Sequence, residues 1–210
     1  MIAIVDYGLG NLHSAQKAFG HVGIEAELTS DPARIQDAAG VVLPGVGAYG
    51  DCLRGLEEKH LVEPVLEAAR SGRPFLGICI GFQLLFEGSD EGDVDGGLGL
   101  FAGRIRRFPN ASDTGLKVPH MGWNQIAVPE GRTCPLLEAG ASPYVYFVHS
   151  YYAEPVDDSI VLAECEYGQR FPAIVGKDNV FACQFHPEKS QQAGLDVLRR
   201  FGNLVHSPVG

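Results

Sequence analysis

A cysteine set between two glycines is the strongest constraint on this chain. Gly77-Ile78-Cys79-Ile80-Gly81 follows the apolar Pro74-Phe75-Leu76 and precedes Phe82-Gln83-Leu84-Leu85-Phe86. A strand-length apolar run, a tight turn and a helix, in that order, put the cysteine at the apex of an elbow. Glycines on both sides suit a backbone that is strained and crowded there. The helix that follows aims its N-terminus at the sulfur, which favours thiolate. Far downstream lies Gln184-Phe185-His186-Pro187-Glu188. His186 as base and Glu188 as its orienting group give the logic of a nucleophilic triad, with sulfur in place of oxygen. An extended segment around Pro187 places both side chains on one side. The implied chemistry is attack on a carbonyl.

The alternation of elements around the elbow fixes the fold class. Residues 2–5 read as a buried strand, 11–21 as a helix and 24–29 as a second strand. Ser30 or Asp31 caps a short helix that starts at Pro32. A third strand, 41–43, ends at Pro44-Gly45-Val46-Gly47. Helices follow from about residue 51 and over 61–69, then the strand 75–78 and the Cys79 elbow. Strand–helix alternation of this kind predicts an α/β fold with a parallel sheet covered on both faces. The pattern then changes. Residues 88–99 read as a loop rich in glycine and acid. Strands are expected over 104–108, 123–128, 144–148, 160–164, 173–176 and 180–185, with Lys177-Asp178-Asn179 as a hairpin turn. Antiparallel strands are therefore added to the parallel core, and 191–204 closes the chain as a helix. No repeat, linker or low-complexity tract interrupts residues 1–210, so one domain is expected.

Composition removes several classes of function. The chain has 210 residues, a net charge of −10, 45% hydrophobic and 20% charged residues. That is enough apolar material for a sizeable core and too little charge for a disordered chain. The acidic balance and the lack of a basic stretch argue against a nucleic-acid surface. No apolar run reaches membrane-spanning length, and the first six residues read as a strand rather than a signal peptide. The cysteines Cys52, Cys79, Cys134, Cys165 and Cys183 show no metal or framework spacing. They are read as reduced thiols in a cytoplasmic protein. All but Cys79 are taken as small buried hydrophobes.

In an open parallel sheet, ligands bind at the carboxyl ends of the strands. Gly8-Leu9-Gly10, Pro44-Gly45-Val46-Gly47 and Cys79 should share that rim. The N–H of Ile80, with that of Val46 or Gly47, is placed to form an oxyanion hole. Gln83, one helical turn after Cys79, can hydrogen-bond a polar substrate held over the sulfur. Three other patterns are weak. Gly8-Leu9-Gly10 has His13 where a dinucleotide fingerprint needs its third glycine. Glu91, Asp93, Asp95 and Gly96 imitate a calcium loop, but its twelfth position is Ala102. His120, His149 and His186 have no zinc spacing. No metal or cofactor is therefore expected. Pro119-His120-Met121-Gly122-Trp123-Asn124, with the only tryptophan, is either a core hairpin or a partner surface. Phe147-Val148-His149-Ser150-Tyr151-Tyr152 supplies another wall of the site.

These segments together resemble the triad (class I) glutamine amidotransferases. Residues 6–12, 117–124 and 147–152 are similar to the glutaminase subunits of imidazole glycerol phosphate synthases. The resemblance runs from the first strand to the last helix, and it implies a flavodoxin-like, doubly wound sheet. It further implies that Cys79, His186 and Glu188 are catalytic and that Ile80 with Val46 or Gly47 holds the oxyanion after a backbone reorientation. Gly47, Gln83, Ser150 and Tyr151 map onto positions that bind glutamine. The implied partner is a separate (β/α)8-barrel cyclase, met through Gly8, Asn11, His120, Met121 and Trp123. Ile80 and Phe82 stand where the family often has Leu and Met, and Tyr49 where Phe is frequent; all are mild exchanges. The rivals are an amidotransferase of another pathway, a stand-alone cysteine amide hydrolase, and a catalytically silent module of the same fold.

Overall fold

The computed structural model describes residues 1–92, 94, 96–109 and 115–206. Its first part alternates as β1 (Ile2–Val5), α1 (Leu12–His21), β2 (Ala26–Thr29), α2 (Pro32–Asp37), β3 (Gly40–Leu43), α3 (Tyr49–Glu58), α4 (Val62–Arg70), β4 (Phe75–Ile78) and α5 (Ile80–Leu84). The remainder is β5 (Phe86–Ser89), β6 (Phe101–Arg107), β7 (His120–Ala127), β8 (Tyr144–His149), β9 (Tyr151–Pro155), β10 (Val161–Glu166), β11 (Arg170–Lys177), β12 (Val180–Cys183) and α6 (Gln191–His206). A nine-stranded sheet runs β2-β1-β3-β4-β12-β11-β10-β7-β8. The strands from β2 to β12 are parallel, and the pairs from β12 to β8 are antiparallel. A smaller sheet, β5-β6-β9, stands beside it.

Every residue of β1, β3, β4 and β12 is buried. Successive strand residues point to opposite faces, so a fully buried strand means that both faces are covered. Helix α6 shows how the sequence supplies a cover. Its buried residues Gly194, Val197, Leu198, Phe201, Gly202 and Val205 recur at helical spacing, and Phe201 meets Phe19 of α1 at 6.3 Å between ring centres. Four loops leave the same carboxyl rim of the parallel strands: residues 6–11 after β1, 44–48 after β3, Cys79 after β4 and 184–186 after β12.

Asp31 is the cap of α2: its carboxylate accepts the Ala33 N–H at 2.9 Å, and Pro32 opens the helix. Asp178 and Asn179 form the tight turn between β11 and β12, with Asp178 at φ 53°. Several boundaries differ from the sequence reading. Helix α5 stops at Leu84, and residues 86–89, expected to straddle the end of a helix and a loop, form β5. The carbonyls of Leu84, Leu85 and Phe86 accept N–H groups of Leu98, Leu100, Phe101 and Gly99 instead of continuing the helix. Residues 151–155 leave the edge of the large sheet and pair with β6 as β9. The chain changes sheets at Ser150, whose carbonyl accepts the Phe108 N–H at 3.0 Å. Asp93 and Asp95 lie outside the described residues. Among the described residues, no helix is long and apolar enough to cross a membrane.

A glycine also lets the last helix pack closely near the rim. A Cβ on Gly194 of α6 would sit 1.9 Å from the Pro187 carbonyl oxygen, whereas one on Gly20 of α1 meets nothing within 4 Å. Gly194→Ala should therefore lose about 1–3 kcal/mol through forced backbone movement. Gly20→Ala should gain about 0.5–1 kcal/mol from helix propensity. Denaturant midpoints read both; equal effects would contradict the packing of α6 on residues 187–189.

Candidate active site

Cys79 occupies the elbow at φ 56° and ψ −107°, a conformation that a side-chain-bearing residue adopts only under constraint. Both glycines are needed for space. A Cβ on Gly81 would lie 1.8 Å from the Leu43 carbonyl oxygen, and one on Gly77 2.8 Å from the Gly81 carbonyl oxygen. The Cys79 N–H donates to the Cys183 carbonyl at 2.9 Å, which ties the turn to the neighbouring strand β12.

That same strand delivers the histidine. His186 follows β12 with extended backbone, but Pro187–Lys189 is a 3-10 turn and not the extended run expected. Ser190 closes this turn: its hydroxyl donates to the His186 carbonyl at 2.7 Å and accepts the Tyr146 N–H at 2.9 Å. The turn still brings the pair together. His186 Nδ1 donates to Glu188 Oε1 at 2.7 Å, and both side chains are almost wholly buried. Asn11 Nδ2 donates to the same Oε1 at 3.2 Å. Asn11 was expected at a partner surface; here its amide fixes the carboxylate that fixes the imidazole. Residue spacing held no signal for that, because 177 positions separate Asn11 from Glu188.

Burial by itself would lower the His186 pKa. Negative charge on the Cys79 sulfur and on the Glu188 carboxylate outweighs it and raises the value to about 10. The sulfur acts on the ring through space, since His186 Nε2 makes no formed hydrogen bond. Cys52, Cys134, Cys165 and Cys183 are buried, and burial pushes all four thiols up. This agrees with reading them as small hydrophobes. Among the described residues, no three His, Cys, Asp or Glu side chains gather as metal ligands would.

A cavity of about 370 Å³ opens over the sulfur. Of the expected site residues, Val46, Gly47, Cys79, Ile80, Gln83, Ser150, Tyr151 and His186 line it. Glu91, Pro119, Val148, His149 and Lys189 join them. Lys189 sits beside the His-Pro-Glu segment in sequence, a signal that was there to use. The Glu91 carboxylate accepts the Tyr49 N–H at the start of α3, at 3.0 Å. Gln83 Nε2 donates to Gln184 Oε1 at 3.0 Å and to the Tyr151 carbonyl at 3.3 Å. Its Oε1 is left as a buried acceptor without a partner.

The oxyanion donors do not converge in this structure. The Ile80 N–H donates to the Gly45 carbonyl at 3.4 Å. In a trans peptide the N–H points opposite to the C=O, so the Val46 N–H faces away from Ile80. Of the residues expected at a partner surface, Met121 and Trp123 are exposed and Gly8 lies on the rim, but His120 is buried. β7 alternates its faces, and His120 falls on the inner one, stacked at 4.0 Å on Tyr167.

His186 should remain protonated up to about pH 10. Because its pKa is raised above the ordinary 6.5, its stabilising interactions are complete below that value and are lost as pH rises through about 10. Cys79→Ala removes the larger of the two raising interactions, so the ring should titrate lower. Nitrogen NMR of labelled histidine checks this, and an unchanged titration would separate the thiol from the ring.

The sequence model of the family "Glutamine amidotransferase class-I" matches residues 3–203. "Imidazole glycerol phosphate synthase subunit HisH" of Geobacter sulfurreducens is 51% identical over 206 residues, covering 97% of this chain and 98% of the relative. The protein of the same name from Syntrophotalea carbinolica is 53% identical over 210 residues, covering 97% and 100%. Among solved structures, a glutamine amidotransferase superposes with a TM-score of 0.75 at 19% identity, covering 99% of this chain and 100% of that one. PurLQS from Thermotoga maritima gives 0.73 at 24% identity, covering 96% and 97%. The two structures establish the fold, a doubly wound α/β sheet with antiparallel additions. The sequence matches establish the descent: this chain belongs to the class-I glutamine amidotransferase family.

Proposed function

We propose that residues 1–210 form a single glutamine amidotransferase domain, the cytoplasmic glutaminase subunit of an imidazole glycerol phosphate synthase in histidine biosynthesis. The observation that carries this reading is the buried Cys79–His186–Glu188 constellation, in a chain about half identical to subunits of that name. The Cys79 sulfur attacks the carboxamide carbon of glutamine. His186 gives a proton to the leaving nitrogen, and ammonia departs. Water activated by His186 then hydrolyses the thioester and releases glutamate. Glu188, held by Asn11, keeps the imidazole oriented and stabilises its charged form. Gly47, Gln83, Ser150 and Tyr151 hold the glutamine, with Gln83 Oε1 available to accept from it.

The oxyanion hole in this reading forms only when the Gly45–Val46 peptide turns. Ile80 then gives up its bond to Gly45, and Val46 or Gly47 supplies the second donor. Losing one such donor costs about 3–4 kcal/mol in the transition state, so the resting chain should be a poor glutaminase. A partner that favours the turned peptide explains the coupling. The surface for that partner starts at the cavity mouth. On the outer face of β7 and β8, Met121 pairs across from Val148 and Trp123 from Tyr146. Val148 also lines the cavity, and Met121, Trp123 and Tyr144 are the large apolar residues exposed nearby. A separate (β/α)8-barrel cyclase docked there, over this strip and the Gly8–Asn11 rim, would receive ammonia before it protonates and diffuses away.

Glutamate release from glutamine tests the whole reading, first alone and then with the cyclase and its nucleotide ligand. A low rate alone and a large rise in the complex are expected. High partner-independent release would point to a stand-alone amide hydrolase. Cys79→Ala should abolish glutamine use while free ammonium still supports the partner; loss of both activities contradicts a subunit role. Trp123→Ala should weaken assembly by a tenfold or larger factor, about 1–2 kcal/mol or more, with an unchanged melting temperature. An unfolded variant would return Trp123 to the core.

A further inference from the structure

The oxyanion segment is gripped by two buried side chains that do not line the cavity. Tyr7 OH donates to the Pro44 carbonyl at 2.6 Å, and Cys52 Sγ donates to the Val46 carbonyl at 3.4 Å. Both side chains are buried, on the β1 loop and on α3. Burial raises the Cys52 thiol to about 11, so its S–H donor is present at neutral pH. Tyr7 and Cys52 also lie against each other, and burial holds the phenol far above its usual range. Gly45 fits between Tyr7 and α5 only because it has no side chain; a Cβ there would stand 2.7 Å from Tyr7 OH and 2.8 Å from Ile80 Cβ.

The grip on Val46 bears on the reorientation. A half-turn of the Gly45–Val46 peptide alone would shift the φ of Val46 by about half a circle. Val46 now has negative φ, since the non-glycine residues at positive φ are His60, Cys79, Asp178 and Gln191 among those described. The turn alone would therefore drive a β-branched residue to positive φ, where such residues are strongly disfavoured. The Val46–Gly47 peptide must share the rotation. Gly47 can absorb it: it already sits at φ 99° with open space around it. Sharing the rotation moves the Val46 carbonyl, and that carbonyl is the one Cys52 holds.

We infer that Cys52 is a positioning residue, a latch that holds the oxyanion segment in its resting orientation and is released when the segment turns. Tyr7 anchors the Pro44 end, which can stay in place in both orientations. A bond made in only one of two states biases the equilibrium toward that state. The proposal rests on the glutaminase reading above.

The test is glutaminase turnover of Cys52→Ala, alone and in complex with the cyclase and its nucleotide ligand, with kcat and KM separated. A single weak thiol bond predicts a basal kcat about two- to fivefold higher, with KM little changed. In the complex kcat should stay near the wild-type value, so the activation ratio falls by the same factor. Cys52→Ser keeps a donor and should stay near wild type. Cys165→Ala, a buried thiol remote on β10, should leave the ratio unchanged. An unaltered ratio in Cys52→Ala, or an equal rise in Cys52→Ser or Cys165→Ala, overturns the latch. A wild-type chain that releases no glutamate with its partner overturns the glutaminase reading instead.

Discussion

The strained turn at Cys79 is the constraint on which the rest of the site depends. A side-chain-bearing residue at φ 56° and ψ −107° costs on the order of 1–3 kcal/mol. It persists because β4 is flanked on both sides. On one side Gly81 lies so close to the Leu43 carbonyl at the end of β3 that no Cβ fits. On the other, the Cys79 N–H is bonded to the Cys183 carbonyl at the end of β12. The strand order β3-β4-β12 is thus the device that holds the sulfur at the rim. It also explains why the histidine comes from so far along the chain. The neighbour that pins the elbow is the strand that leads into His186.

Polar bookkeeping follows the same geometry. Among the described residues, the buried side-chain atoms without a partner are Gln83 Oε1, Gln184 Nε2, His186 Nε2 and Glu188 Oε2. They belong to a single cluster around the elbow. An unmet buried polar atom costs about 1–3 kcal/mol, so a fold seldom concentrates them without a use. The Gln83–Gln184 pair shows how little freedom the cluster has. Turning both amides over would keep their mutual bond but set Gln83 Oε1 against the Tyr151 carbonyl, two acceptors 3.3 Å apart. The acceptor is therefore oriented by the backbone of the opposite wall.

Much of this was legible in the sequence because the signals were local. The Cys79 elbow declared itself through its two glycines, and the parallel strands through short apolar runs between helices. Asp31 and the Asp178-Asn179 turn followed from residue chemistry alone. What was not legible depended on partners distant in sequence. Residues 82–86 carry helical spacing, yet α5 ends early because the loop at 98–101 takes its carbonyls. Residues 147–152 read as one strand end, but the chain turns at Ser150 into a second sheet. The resemblance put His120 at a partner surface with Met121 and Trp123; strand alternation sends it to the opposite face. The Asn11 contact with Glu188 and the Cys52 contact with Val46 are set by tertiary approach, and no spacing encodes them.

Three histidines near one wall show how the fold divides protons among them. His149 Nδ1 donates to the Tyr151 carbonyl at 2.7 Å, which leaves its Nε2 as an acceptor for the His120 Nδ1 proton at 3.0 Å. His120 Nε2 then accepts from Asn124 Nδ2 at 3.3 Å. This chain of bonds is complete only with both rings neutral. Burial agrees, lowering His120 to about 4 and His149 to about 3. His186 is buried too, yet negative charge on the sulfur and the carboxylate beside it carries its pKa the other way, to about 10. Burial alone therefore does not decide the charge of a histidine here; the neighbours do. The positive charge of His186 contributes to keeping His149 neutral. A single cation is thereby confined to the ring next to the sulfur, and the neutral pair serves to fix the Tyr151 carbonyl on the wall facing it.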